Sequence, residues 1–317
     1  MRIQLNPTVS FLSGERNEVR RNLAIGVGAG ALAVLSWAAW LVGTRFAVTT
    51  HLHPVDVAFV RYLVSAVLLA PVLWRYGFGL RQLGLARTAL LVGGAGLPFL
   101  LVASSGMKFA AASDAGAVMM GTMPVFVALF SALVSGERFD AMRLIGFGAV
   151  LAGIVGIAAH GLFDLQSGAW RGHILFLVAA AMFAIYTVTF RRSGLSPWHG
   201  AAIVNAYSLA LFAPVYLYLY GSSLASAPVG EMATQGLVQG VLAGIVALFF
   251  FGESVRRLGA ARAAVLGSFA PVLGALLAMP LLGEYPSRLA WVAIVAVSVG
   301  VVLASGGLSV SKSAPVK

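Results

Sequence analysis

Two ionisable side chains stand where a charge is hard to accommodate. Arg61 lies inside the apolar run FVRYLVSAVLLAP, and Asp114 follows Ser113 at the head of a second apolar segment. A guanidinium at the centre of a membrane span costs about 2.5 to 3.5 kcal/mol on insertion scales, so Arg61 needs an acceptor. Ser65 at i+4, a helix-end carbonyl, and a carboxylate from Asp56 or Asp114 are the structural candidates, and binding of an anion is the functional alternative. An acidic residue at position 114 complements a helix dipole, with proton coupling as its functional alternative. Metal and thiol chemistry find no support. The chain has no cysteine, its five histidines show no HExxH spacing, and neither a metal nor a cofactor is expected.

Four aromatic residues are a second candidate set. Trp37 and Trp40 share one helical face with Thr44, and at an offset of 146 Phe183 takes the place of Trp37 and Tyr186 that of Trp40. They form a candidate substrate-binding set if their helices converge, and are lipid-facing or packing aromatics if not. Met119 and Met123 continue the set with Phe126 and Phe130 as a stripe that offers flexible apolar contacts to cargo or simply packs the core. Asn205 offers a hydrogen bond.

These residues belong to a repeat. ASDAGAVMMGTMPVFVALFSALVSGE over 112–137 is matched by GAARAAVLGSFAPVLGALLAMPLLGE over 259–284, an offset of 147. Pro124 and Pro271 are read as mid-helix prolines, each freeing a carbonyl four residues back, either as a hinge beside a cavity or as a packing kink hydrogen-bonded by neighbours. Beside them, Thr122, Ser268 and Phe269 are further binding candidates. The pairs Gly136-Glu137 and Gly283-Glu284 close their helices, with glycine as the left-handed cap and Glu137 and Glu284 in a structural, locking role.

The elements that must carry these groups are transmembrane helices. With 60% hydrophobic residues, 10% charged and a mean hydropathy of +0.94, the 317-residue chain lies outside the composition of soluble domains. At about 20 residues per crossing, ten spans fit: near 23–44, 56–74, 88–106 with a glycine–proline interruption at 93–98, 114–135, 142–161, 173–190, 200–220, 234–252, 260–282 and 288–306. Residues 1–22 form an N-terminal tail, 23–161 a first five-helix repeat, 162–172 a link, 173–306 a second five-helix repeat, and 307–317 a C-terminal tail. An odd number of spans per half makes the repeats inverted. Of 21 Lys and Arg residues, 16 fall in the tails and the loops on their side, four (Arg45, Lys108, Arg171, Arg288) on the other, and one, Arg61, within a span. Both termini are therefore expected in the cytoplasm, and the net charge of +11 marks topology rather than nucleic-acid binding. The seams Ala149-xxx-Gly153 and Ala296-xxx-Gly300 permit close helix approach, either within the bundle or across a homodimer.

The tryptophan-bearing first span, the Arg61 segment, the doubled proline to Gly-Glu stretch and the glycine-rich fifth span together resemble drug/metabolite transporters of the EamA type. The chain departs from the usual Trp-Gly pair with Trp37-Ala38. The resemblance implies an all-α, ten-helix membrane protein of the bacterial inner membrane, in contact with lipid, whose central cavity carries small organic metabolites or drugs, often outward. A secondary transporter is the leading reading, because the sequence holds no GxxxxGK[ST] loop for ATP. A membrane-embedded enzyme would cluster acid, base or metal groups in a cavity, whereas the acidic residues here lie mainly at span ends. A scaffold or sensor has no need of broken, repeat-related helices.

Overall fold

A computed structural model of the chain describes residues 7–49, 52–111, 114–136, 141–163, 168–225, 228–267, 269–285 and 288–304, and every element among them is helical. In chain order these are α1 (Pro7–Thr49), α2 (Pro54–Tyr76), α3 (Leu80–Ala95), α4 (Leu97–Phe109), α5 (115–135), α6 (Ala141–Phe163), α7 (Ala169–Ser193), α8 (Pro197–Ala225), α9 (229–258), α10 (Ala260–Gly267), α11 (Ala270–Leu282) and α12 (Arg288–Ala304). Two of them contain π-helical turns, Ala115–Met120 in α5 and Gly236–Ala247 in α9. Among the described residues eight segments are long and apolar enough to cross a membrane: Glu18–Ala47, Pro54–Tyr76, Leu80–Phe109, Ala115–Val134, Ala169–Ser193, Pro197–Tyr220, Val229–Leu258 and Ala260–Leu282. In α6 the apolar stretch is shorter, Leu144–Gly153. Glu137 and Ser268 lie outside the described residues.

The helices pack reciprocally. α1, the first helix of the first half, lies against α9, α10 and α11 of the second, while α7, which opens the second half, lies against α3, α4 and α5 of the first. The equivalent helices α2 and α8 pack together, as do α6 and α12. In the last pair a Cβ on Gly300 would stand 2.9 Å from the Gly146 carbonyl oxygen and 2.8 Å from the Val150 nitrogen. The Gly300 seam is thus used within the chain, since only glycine lets the backbones come so close.

Local sequence explains the breaks. α3 and α4 part at Gly96, where the freed Leu97 N–H donates to Ser208 Oγ at 3.0 Å, so the expected interruption of the third span is a capped helix junction. Pro124 lies inside the α-helical part of α5, one turn after its π-helical turn. That is where the ring would crowd the Met120 carbonyl, and a widened turn relieves the crowding. Pro271 differs from its expected mid-helix position. The chain divides into α10 and α11, and Pro271 sits in the first turn of α11, where the missing N–H removes no intrahelical bond. Gly136 (φ 67°) and Gly283 (φ 68°) both close their helices in the left-handed conformation. The N-terminal segment is helical from Pro7, so α1 extends through most of the expected tail.

Candidate functional site

The first helices of the two halves meet through their aromatic faces. Trp37 is 5% exposed and touches Phe183 edge-on at 5.6 Å between ring centroids. Phe183 in turn lies 5.2 Å from Tyr186, and Phe251 of α9 closes on Trp37 at 4.9 Å and on Phe183 at 5.4 Å. Phe99 joins Trp40 (6.0 Å) to Phe183 (5.4 Å). Each edge-to-face or offset contact is worth roughly 0.5 to 1.5 kcal/mol beyond its buried area, so the cluster is a cohesive joint between halves. It is flanked by the crossing of α5 over α11, where a Cβ on Gly116 would come within 2.9 Å of Pro271 Cα. Met119, Met123 and Thr122 are buried in the same segment of α5, and Thr122 Oγ1 donates to the Val118 carbonyl at 2.6 Å.

One turn beyond Trp40 the interior becomes polar. Gln239 donates to Thr44 Oγ1 at 2.8 Å and Gln235 to the Gly43 carbonyl at 3.1 Å, tying α9 to α1. The π-helical turns of α9 leave carbonyls open to other helices: Gly240 accepts from Ser65 Oγ (2.7 Å), Ala243 from Arg61 Nη2 (3.4 Å) and Gly244 from Asn205 Nδ2 (2.8 Å). π-turns recur at functional sites because they displace backbone polar groups from their usual partners. A Cβ on Gly244 would displace Ser65 Oγ from its place beside α9, so glycine here lets Ser65 keep its bond to Gly240. Several polar atoms in this layer are buried without a partner among the described residues: Trp40 Nε1, Arg61 Nε, Asn205 Oδ1, Gln235 Oε1 and Gln239 Oε1.

Among the sequence candidates, Trp37, Trp40, Phe183 and Tyr186 come together, and Arg61 and Asn205 meet on neighbouring carbonyls of α9. Phe269 is 41% exposed and stands outside the cluster. Asp114 pairs with His173 Nε2 at 3.1 Å. Glu284 pairs with Arg45 at 2.7 Å, and Arg45 Nη1 also donates to the Met107 carbonyl at 2.7 Å. Sequence reading missed Phe99, Phe251, Ser208, His173, Gln235 and Gln239. For the glutamines a signal existed, two amides at i, i+4 in an otherwise apolar span.

The profile of the EamA-like transporter family matches residues 24–159 and again 170–306. The sequence is 27% identical over 275 residues to "Uncharacterized inner membrane transporter YedA" of Escherichia coli (strain K12), covering 83% of this chain and 85% of that protein. It is 31% identical over 188 residues to "Uncharacterized transporter" of Archaeoglobus fulgidus, covering 57% and 62% respectively. A crystal structure of a protein 22% identical superposes with a TM-score of 0.60 over 92% of this chain and 99% of that one, a likeness of fold alone. With eight segments able to span and relatives named as inner membrane transporters, this is a multi-pass membrane protein.

Proposed function

The chain belongs to the EamA-like transporter family, matched in both halves, and from that premise we propose that it is a secondary transporter exporting small organic molecules by alternating access. Ten spans in two inverted repeats, with both termini in the cytoplasm, complete this reading. Reciprocal packing of the halves and the 16 to 4 distribution of loop Lys and Arg support it. The observation that carries the function is the joint itself: Trp37 of the first half and Phe183 of the second meet at 5.6 Å beside a buried polar layer. Cargo binds between the halves, its apolar part on Trp37, Phe183 and Tyr186 and its polar part toward α9. The Asp114–His173 pair is the candidate for proton coupling.

The test is flux in proteoliposomes after a ligand screen on the purified protein. Trp37→Phe and Tyr186→Phe keep the core filled while altering the face offered to cargo. Each should weaken binding of the hits severalfold and lower flux, whereas Leu133→Ala, on a side chain 74% exposed, should change neither. Unaltered affinity in both aromatic variants would remove the site from between the halves.

A further inference from the structure

We propose that Arg61 docks the negative charge of the cargo, which is then a small amphipathic carboxylate or a comparable singly charged oxyanion. The proposal rests on the transporter reading and names its substrate class. Arg61 is 4% exposed, two turns into α2, inside a segment able to span the membrane. A charge so placed must be neutralised or fully hydrogen-bonded, or it costs several kcal/mol. Of its five N–H donors, one makes a bond, Nη2 to the Ala243 carbonyl at the long distance of 3.4 Å, and Nε has no partner among the described residues.

Apart from the Tyr62 ring, whose centroid is 5.8 Å from Cζ and which neutralises no charge, the structural partners open to Arg61 are engaged elsewhere. Ser65 Oγ donates to Gly240, Asp56 accepts from Tyr216 Oη at 2.7 Å and from the His53 N–H at 2.9 Å, and Asp114 holds His173. Nor does the scaffold need a cation at this place. The position related to Arg61 by the offset of 146 is Tyr207, so the second half is built without the charge. What Arg61 does have is location: its one hydrogen bond crosses from the first half to the second, along the seam that alternating access would part. The polar layer meets the aromatic joint along α1, where Thr44 follows Trp40 by one turn, and Trp40 Nε1 is a second buried donor without an acceptor. A single guanidinium balances a single negative charge, which favours carboxylate or sulfonate over a phosphate dianion. The neighbouring rings accept the apolar body of such a molecule.

The experiment measures binding to the full-length protein in detergent. The probes are a series of carboxylates from benzoate to decanoate, each beside its own neutral amide, with inorganic sulfate and phosphate as controls for the anion alone. At least one acid should bind about 10- to 100-fold more tightly than its amide, the range set by a charge-assisted hydrogen bond. The inorganic anions should compete weakly, because they lack the apolar part. Arg61→Met should erase the preference for acid over amide, and Arg61→Lys should keep part of it, having the charge without the planar fork. If every acid binds no better than its amide in the unaltered protein, the proposal falls, whatever the variants do. It falls equally if Arg61→Met folds and keeps the preference. Flux separates this from the transporter reading: acid-selective, Arg61-dependent binding without flux would keep the anion site and remove transport. Flux of the amides with the acids excluded would keep transport and remove the anion site.

Discussion

Arg45 and Arg191 occupy related positions, 191 − 45 = 146, at the far ends of α1 and α7, and they do one job alike and one differently. Each caps the last turn of a helix in its own half: Arg45 Nη1 reaches the Met107 carbonyl of α4, and Arg191 Nη1 reaches the Arg256 carbonyl of α9 at 2.9 Å. A cation at a helix C-terminus satisfies open carbonyls and complements the dipole. Arg45 then adds a second partner, Glu284 of the other half. Among the described residues Arg191 bonds only carbonyls. It lines a cavity of about 180 Å³, next to a larger groove of about 610 Å³ walled by Trp198, Phe249 and Phe250. The two ends thus differ in kind: an ion pair joins the halves at one, whereas at the other Arg257 donates to Asn22 and His199 meets the Gly77 carbonyl, beside a cavity that lies within the second half. Repeat-related arginines therefore keep one role, capping a helix, while one of them gains an ion pair across the halves.

The most severe way to break this comparison is to remove what separates the ends. Trp37→Ala empties the centre of the aromatic joint and should lower stability by about 3 to 5 kcal/mol, the usual cost of truncating a large buried aromatic residue. A thermal unfolding scan in detergent reads it, and a loss below about 1 kcal/mol would mean that the joint does not hold the halves together.

Much of this joint is legible in the sequence, because it depends on spacing that survives in both copies. The offset repeat, the Gly-Glu helix ends and the Trp37, Trp40, Phe183, Tyr186 set all reflect which residues share a helical face. What is not legible depends on contacts between distant positions. Arg45 and Glu284 are 239 residues apart, and Asp114 and His173 are 59 apart. No local pattern announces such pairs. The division of one expected span into α10 and α11 at Pro271, where its twin Pro124 continues a helix, is the same lesson at backbone level. Both prolines forbid one hydrogen bond, but the chain can answer with a widened turn or with a new helix start, and neighbours decide which. The polar layer is intermediate: Arg61 and Asn205 stand out in apolar runs, while the carbonyls they use are exposed by π-turns that the sequence does not announce.

A gentler perturbation acts on the tied end alone. Glu284→Arg replaces an ion pair with two like charges, and because both side chains are partly solvated, at 21% and 27% exposure, the effect should be about 1 to 2 kcal/mol. That shifts the closed fraction at this end roughly 5- to 30-fold. The chain has no native cysteine, so a single Met107→Cys, buried beside the latch, can report it by its rate of thiol labelling. Exchanging the charges with Arg45→Glu in the same protein should restore part of the slow labelling, because the ion pair returns while the bond to the Met107 carbonyl does not. A cysteine at Leu195, in the cavity beside Arg191, should label at the same rate throughout. If the Leu195 site slows as the Met107 site quickens, the two ends are coupled, and the comparison becomes a mechanism.

The smallest effect expected is that of Arg191→Ala, and it is the sharpest test of the difference between the two arginines. Its bonds go to the carbonyls of Val255 and Arg256 in the final turn of α9. Carbonyls at a helix end can be satisfied by water when a side chain is withdrawn. The side chain of Arg191 is itself exposed, so little desolvation is recovered or lost. The cost should be about 0.3 to 1 kcal/mol, the range of a solvated charge at a helix terminus. Arg45→Ala should cost more, because it removes a comparable cap and also leaves Glu284 without this cation. Thermal unfolding of the two single variants in one detergent gives the comparison directly. If Arg191→Ala destabilises as much as Arg45→Ala, the two ends are held equally firmly, and the asymmetry drawn from Glu284 loses its energetic basis.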